Sequence, residues 1–174
     1  MARESGVPVF LDLQGVALRE AVAARPSVVK INLAEFVASF VAGRFRAGEH
    51  SGILAEPVPS PALMAAVAEV SQHHATSFVL TRGANSIVLA RQGDLRIVPV
   101  PPLAAEETVN TVGCGDAFLA GMLAKLLAAG SGFAREETPL DALQKTIDFA
   151  TACTQSNART ARPGFLEDSF TASN

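Results

Sequence analysis

Hydrophobic positions along the chain form two kinds of pattern, which follow each other in turn. Short, nearly continuous apolar runs at residues 7–12, 27–32 and 77–81 predict buried strands. Two further runs, at residues 86–91 and 95–100, flank Gln92, Gly93 and Asp94 and predict a β-hairpin. Strands of this kind are typical of a sheet whose faces are both covered.

Helical spacing of apolar residues separates and follows these runs. It predicts helices at residues 15–24 and 33–41, and a third that begins with a Ser60 cap and Pro61 at its first position. Two later helices are predicted from apolar stripes. The first stripe consists of Leu119, Met122, Leu123, Leu126 and Leu127; the second follows Thr138 and Pro139 and consists of Leu140, Leu143, Ile147 and Ala150.

The alternation of strands and helices predicts an α/β protein. We expect a doubly wound, mostly parallel sheet with helices on both faces, formed by a single domain over residues 1–174. The segment between the second and third helices, residues 43–59, lacks periodicity and contains Gly48, Gly52 and two prolines, so it is predicted to be a surface connection.

Composition narrows the class of function. The chain has 174 residues, 49% of them hydrophobic, with a net charge of -3 and neither Trp nor Tyr, which argues against a nucleic-acid interface. No apolar run is long enough to cross a bilayer, and the N-terminus lacks a signal-peptide pattern. Two cysteines make no disulfide framework, and we expect a cytoplasmic protein. His73 and His74 diverge on a helix, which disfavours a shared metal.

The stretch from Gly113 to Asp116 carries the strongest chemical signal. Two glycines bracket Cys114 and lead into the helix that begins before Leu119. First-turn amides of a helix lack intrahelical acceptors, and the helix dipole places partial positive charge there, so an anion is favoured. Without Cβ atoms at 113 and 115, a phosphate can approach these amides closely.

Glycines before helices are most often structural. Asp116 favours a functional interpretation of this glycine turn. A carboxylate beside an anion hole does not bind phosphate itself, but it can take the proton from a hydroxyl that attacks the phosphate. The combination predicts phosphoryl transfer. A dinucleotide oxidoreductase is disfavoured, because the motif comes late in the chain and lacks the Gly-x-Gly-x-x-Gly order.

Three other positions have both a structural and a functional interpretation. Asn32 and Glu35 form a capping box if taken alone, and Gly83 serves a turn or a ligand with equal weight. Asp12, at the carboxyl end of the first strand, is a site candidate, although turn or cap duty explains it more simply.

The residues from Asn110 to Asp116, followed by Ala-Phe-Leu-Ala-Gly, resemble the second signature of the PfkB (ribokinase-like) carbohydrate kinase family. Asn110 in first place is similar to the branch of 1-phosphofructokinase and tagatose-6-phosphate kinase, while Cys114 stands where the family has Ala or Ser. The segment from Asn32 to Glu35 resembles the family's Asn-x-x-Glu segment. Thr81 to Ala84 resembles its Thr-x-Gly-Ala turn.

The resemblance implies an ATP-dependent kinase that acts on a hydroxyl of a sugar or sugar phosphate, with ATP and Mg²⁺ as cofactors. It implies these roles: Asp116 as catalytic base; Gly113, Cys114 and Gly115 as the anion hole; Asn32 and Glu35 near magnesium, through water; Thr81, Gly83 and Asn157 near the nucleotide.

Family members are longer, so the resemblance also implies a missing N-terminal part with the sugar-binding residues and the small β lid. The sugar itself is therefore not predicted. The alternative hypothesis is a truncated, inactive nucleotide-binding domain that associates with another chain, or a second copy, through an exposed sheet edge.

Overall fold

A computed structural model describes residues 7–44, 58–128 and 140–164. Backbone contacts divide the chain into two compact units, Met1–Val100 and Pro101–Asn174, and each is described separately. The single-domain assignment stays a prediction. Most of the predicted connection at residues 43–59, the predicted start of the last helix at Thr138 and Pro139, and the residues beyond 164 lie outside the described residues.

The first unit holds all five described strands. In chain order its elements are β1 (Phe10–Leu11), α1 (Gly15–Val22), β2 (Val28–Asn32), α2 (Leu33–Phe36), α3 (Pro61–His74), β3 (Ser77–Thr81), β4 (Ser86–Arg91) and β5 (Asp94–Pro99). After α2 the same helical path widens into a π-helical turn at Val37–Val41 and ends in a 3-10 turn at Ala42–Arg44.

The sheet follows chain order from β1 to β5. The pairings of β1 with β2 and of β2 with β3 are parallel, and the two pairings that involve β4 are antiparallel. The α/β class is confirmed, and the antiparallel half of this mixed sheet is the predicted hairpin. Its turn contains two residues, Gln92 and Gly93, with φ of 50° and 91°, which matches the twist of the strands and lets β5 begin at Asp94.

The core of the first unit forms on one face of the sheet. Alternate residues of the central strands, among them Ile31, Phe78 and Leu80, are fully buried in one apolar cluster with side chains of all three helices. A period of two in a strand sends every second side chain to the same face. The core therefore fixes the register that sets Asn32 opposite Thr81 at the carboxyl ends of β2 and β3.

The second unit contains a 3-10 turn (Ala105–Glu107), α4 (Cys114–Ala128) and α5 (Leu140–Ala158). The two helices touch at Gly121, where an added Cβ would lie 2.7 Å from the Cys153 Sγ and 3.1 Å from the Ala150 Cα. The small residues of α5 at this point therefore allow the two helices to approach closely.

The buried face of α4 differs from the predicted stripe. Leu127 is 82% exposed, whereas Ala117, Phe118, Gly121, Met122 and Leu126 are buried. The reason is the close contact at Gly121, which rotates the small side of the helix toward its neighbour. On α5 the prediction holds for Leu143, Ile147 and Ala150, which are fully buried.

Candidate active site

The loop before α4 is shaped by local hydrogen bonds. The Oδ1 atom of Asn110 accepts from the Val112 amide at 2.9 Å, and the Thr111 carbonyl accepts from the Cys114 amide at 3.4 Å. Gly113 has a φ of +77°, in the left-handed region that glycine adopts without strain. Its carbonyl accepts from Ala117 at 2.8 Å and so begins the helix.

Two amides of the first turn remain available for a ligand. No acceptor among the described residues bonds to the amides of Gly115 or Asp116, and both residues are exposed. Such amides carry the partial positive charge of the helix start, which here belongs to a helix of 15 residues. The predicted anion hole therefore has its donors at the surface.

The Asp116 side chain lies beside these amides on the first turn of α4. It is exposed, and within the described parts of the chain its carboxylate makes no hydrogen bond or ion pair. A carboxylate with free oxygens can accept a proton from a bound hydroxyl group. The role of Asp116 as catalytic base stays a prediction, with which this exposed carboxylate is compatible.

Asn157 occupies a different position from that expected of a residue in contact with a nucleotide. The side chain has no exposed surface, and its Nδ2 atom donates to the Val112 carbonyl at 3.0 Å and to the Cys114 Sγ at 3.4 Å. Its Oδ1 atom accepts from the Gly164 amide at 2.6 Å. These bonds argue for a role in supporting the loop rather than for the predicted direct contact.

In the first unit, Asn32 and Glu35 form the capping box that opens α2. The Asn32 Oδ1 accepts from the Glu35 amide at 2.8 Å, and the Glu35 Oε2 accepts from the Asn32 amide at 2.9 Å. This arrangement leaves the side-chain Nδ2 of Asn32 and the Oε1 of Glu35 without hydrogen-bond partners among the described residues. The capping interpretation is confirmed, and it leaves polar atoms for a second role.

A pocket of about 300 Å³ opens beside this capping box. Thr81 and Gly83 line it together with Asn32, which brings three of the predicted ligand residues to one place. Gly83 has a φ of +61°, and an added Cβ would meet nothing within 4 Å. The glycine therefore serves the turn by its conformation and leaves space in the pocket.

The remaining lining residues, Leu33, Ala34 and Arg82, were not predicted as site residues. Arg82 is only 8% exposed, and its Nη1 donates to the Ser86 Oγ at 2.8 Å. The sequence signal was available, because Arg82 occupies the variable position between Thr81 and Gly83, but a charged residue in a turn is usually solvated.

Asp12, the site candidate after β1, is engaged in an ion pair. Its Oδ2 lies 2.9 Å from the Lys30 Nζ, whose side chain is 8% exposed. A buried ammonium group needs such a partner, since an unpaired charge there is strongly unfavourable. The pair gives Asp12 a structural duty in joining β1 to β2.

Magnesium would fit the pocket only with water and phosphate as further ligands. Within the described ranges, no group of three or more His, Cys, Asp or Glu residues is arranged to hold a metal. Mg²⁺ usually keeps several waters and binds through one or two carboxylates plus substrate phosphates. Glu35 and Asn32 are the residues here that can hold such waters.

The predicted site residues thus form two clusters, one in each unit: Asn32, Glu35, Thr81 and Gly83 in the first, and Gly113, Cys114, Gly115, Asp116 and Asn157 in the second.

Among the helices described, none is long and apolar enough to pass through a bilayer.

Comparisons with protein-family models and with individual proteins agree on the family of this chain. The model of the pfkB family carbohydrate kinases matches residues 1–162. The 1-phosphofructokinase of Rhodobacter capsulatus is 35% identical over 127 residues, which cover 71% of this chain and 34% of that protein. Adenosine kinase 1 of Arabidopsis thaliana is 38% identical over 64 residues, or 37% of this chain and 19% of that protein.

Solved structures show the same fold. Phosphofructokinase-2 from Escherichia coli, in complex with potassium, superposes with a TM-score of 0.69 at 20% identity, over 98% of this chain and 47% of that one. The chain spans about a third of the 1-phosphofructokinase that it matches and about half of this structure. The fold of the chain, with its five-stranded mixed sheet, is therefore ribokinase-like.

Proposed function

Because the chain belongs to the pfkB family of carbohydrate kinases, we propose that it carries out ATP-dependent phosphoryl transfer to a hydroxyl group of a sugar or sugar phosphate. The observation that carries the proposal is the exposed Asp116 carboxylate, which shares the first turn of α4 with amides that have no described acceptor. A base and N–H groups that can donate to a phosphate lie within one helical turn. This suits phosphoryl transfer, in which the protein contributes mainly positioning and charge stabilisation.

The step can be written with these residues. The Asp116 carboxylate accepts the proton of the acceptor hydroxyl, whose oxygen forms a bond to the γ-phosphorus of ATP. The bond between that phosphorus and the bridging oxygen breaks, and ADP leaves with the electron pair. The amides of Gly113, Cys114, Gly115 and Asp116 stabilise the charge on the transferring group, although the Cys114 amide is already shared with Thr111.

The first cluster would serve the nucleotide and its metal. Thr81 and Gly83 line the pocket, and we assign them to ATP. Asn32 and Glu35 would hold waters around Mg²⁺, which when bound neutralises charge on the phosphates. Arg82 is a permanently charged group that lines the same pocket, and we assign it to the phosphates of the nucleotide.

The substrate branch is proposed from two observations. Asn110 and the 35% identity to a 1-phosphofructokinase favour a sugar phosphate as acceptor. Adenosine kinases and a fructokinase also appear among the relatives, so an assay needs fructose 1-phosphate, fructose 6-phosphate, tagatose 6-phosphate, fructose and adenosine. Cys114 and Cys153 are free thiols, which suits the proposed cytoplasmic location.

The test replaces the base and a matched aspartate. We expect Asp116→Asn to lower kcat by about 10²- to 10⁴-fold, because general base catalysis contributes that much. ATP affinity measured by calorimetry should be unchanged or higher, since a negative charge near the phosphates is removed. Asp148→Asn, an exposed aspartate on α5, should change neither quantity. Near-normal turnover of Asp116→Asn would reject the assignment.

A second candidate function is a nucleotide-binding domain without turnover that associates with another chain. Exposed apolar side chains on either side of β1 favour it: Val7 is 56%, Leu13 40% and Val16 60% exposed. Binding of ATP without phosphoryl transfer to any acceptor of the panel would select this candidate over the kinase.

A further inference from the structure

Asn157 lies in the last turn of α5 and is completely buried, which is uncommon for asparagine. Its Nδ2 reaches the Val112 carbonyl oxygen at 3.0 Å, and its Oδ1 reaches the Gly164 amide at 2.6 Å. A buried amide is costly to leave unpaired, so both bonds constrain the chain around it. The side chain ties the segment before α4 to the turn after α5.

The bond to Val112 also determines the direction of the next amide. A peptide group is planar and trans, so its C=O and N–H bonds point in opposite directions. Because Asn157 holds the Val112 carbonyl on the buried side, the N–H of Gly113 is directed away from Asn157. Gly115 and Asp116, whose amides belong to the same predicted anion hole, follow within three residues and are exposed.

Gly113 itself lies close to the turn that follows α5. A Cβ at Gly113 would lie 3.2 Å from the Gly164 amide nitrogen and 3.4 Å from the Pro163 Cβ. The missing side chain therefore also makes room for the turn at residues 163–164. That turn is held by the same Asn157 Oδ1, so one side chain governs both contacts.

We propose that Asn157 is a positioning residue for the anion hole, which acts by directing the Gly113 amide toward the phosphate. The inference deepens the proposed function and rests on it, since it presupposes that the hole binds phosphate. Asn157 itself touches no substrate. The Asn157 Nδ2 also donates to the Cys114 Sγ at 3.4 Å, and this bond adds a second restraint on the first residue of α4.

The test is a titration of the ¹⁵N-labelled full chain with inorganic tripolyphosphate, read by amide resonances. In the unmodified chain the amides of Gly113, Gly115 and Asp116 should all shift. Asn157→Asp keeps the shape and the acceptor for Gly164 but loses the donor to Val112. We expect the Gly113 shift to fall at least five-fold in this variant, while that of Gly115 is retained.

Gln155→Glu is the matched control. Gln155 lies on the same helix, and its Nε2 makes the same type of bond, 2.7 Å to the Pro101 carbonyl, away from the hole. This amide-to-acid change should leave the Gly113 shift as it is. If Asn157→Asp does not fold, as judged by circular dichroism, Asn157→Ala is titrated in its place, because it removes both bonds without burying a charge.

The unmodified chain supplies a readout that needs no variant. Binding at the Gly113 amide polarises its peptide and strengthens the bond from Asn157 to the Val112 carbonyl, so the side-chain NH₂ resonances of Asn157 should shift in the same titration. Static Asn157 resonances, or a Gly113 shift that is the same in Asn157→Asp, would overturn the positioning role.

Kinetics separate this inference from the proposed function. We expect Asn157→Asp to lower kcat by about 10²-fold with the KM of the acceptor nearly unchanged, since one charge-stabilising donor is misdirected. Absent turnover in the unmodified chain, with Gly113 still dependent on Asn157, would reject the kinase and support the positioning role. Normal turnover of Asn157→Asp with an unchanged Gly113 shift would do the reverse.

Discussion

Gly83 shows how one residue can be tested for turn duty and ligand duty separately. Its φ of +61° disfavours most side chains, but asparagine tolerates this region. Gly83→Asn should therefore keep most of the stability while it places a side chain in the open space of the pocket. We expect ATP affinity to fall at least ten-fold by calorimetry, with the melting temperature lowered by only a few degrees.

Gly15→Asn is the control for backbone strain. Gly15 has a φ of +63° and the same open surroundings, but it does not line the pocket. Both variants should lose similar stability, and only Gly83→Asn should lose ATP affinity. Equal affinity in the two variants would remove Gly83 from the nucleotide site.

His74 gives the described structure a pH dependence. Its pKa is lowered, first by burial and then by the charges of His73 and Arg25, and its ring lies 5.9 Å from that of Phe40. The unfolded chain therefore takes up the proton first as pH falls, so this contribution to stability is full above about pH 6.5 and is lost below it. The loss of melting temperature between pH 7.5 and 5.5 should shrink in His74→Gln, and an identical loss would contradict this assignment.

At the scale of helices, the contact at Gly121 decides how α4 and α5 pack. A Cβ there would meet the Cys153 Sγ at 2.7 Å and the Ala150 Cα at 3.1 Å. Overpacking against backbone is not relieved by a rotamer change, so Gly121→Ala should lower the free energy of unfolding by about 1–3 kcal/mol in urea titrations. The contact also buries Cys153, which raises the pKa of its thiol.

Gly43→Ala is the comparison for this helix contact, because a Cβ at Gly43 meets nothing within 4 Å. We expect its stability to stay within about 0.5 kcal/mol of the original. Cys153→Ala should recover part of the Gly121→Ala loss, since it removes the nearest atom but leaves Ala150 in place. A Gly121→Ala chain as stable as the original would show that the helices can separate freely at this point.

Short apolar runs and helix caps predicted the elements whose bounds depend on neighbouring residues. β3 and β4 match the predicted bounds, and α3 begins at Pro61 after the Ser60 cap. The spacing predicted a regular helix through Val41 and not the π-helical turn after α2, where Ser39 is buried and its Oγ accepts from the Gly15 amide, 24 positions away. A single sequence cannot show that contact.

The same distinction applies to the candidate site. The Asp116 motif and the capping box at Asn32 are short segments, so their geometry follows from spacing. The burial of Asn157 depends on partners 45 and 7 positions away, and the exposure of Leu127 depends on how α4 meets α5. Such outcomes are set by packing between elements, which periodicity alone does not determine.

At the scale of the whole molecule, the apolar edge at β1 has a consequence for association. Among the strands that the structure describes, the two-residue strand β1 pairs only with β2, and Leu13 and Val16 follow it with 40% and 60% exposure. Unpaired strand edges and exposed apolar side chains favour contact with another chain. We expect the 174-residue chain to associate as its concentration rises in sedimentation velocity experiments. Association through the β1 edge would remove the unpaired strand edge and the exposed apolar side chains from water.

Charge placed at that edge should reverse the association. Leu13→Lys together with Val16→Lys introduces repulsion at the edge, so the sedimentation coefficient should stay that of the monomer across the concentration range. Leu127→Lys is the control, because Leu127 is 82% exposed on α4 and tests whether any exposed leucine drives association. If Leu127→Lys abolished association and the edge variant did not, the contact would lie on the second unit and the predicted edge pairing would be wrong.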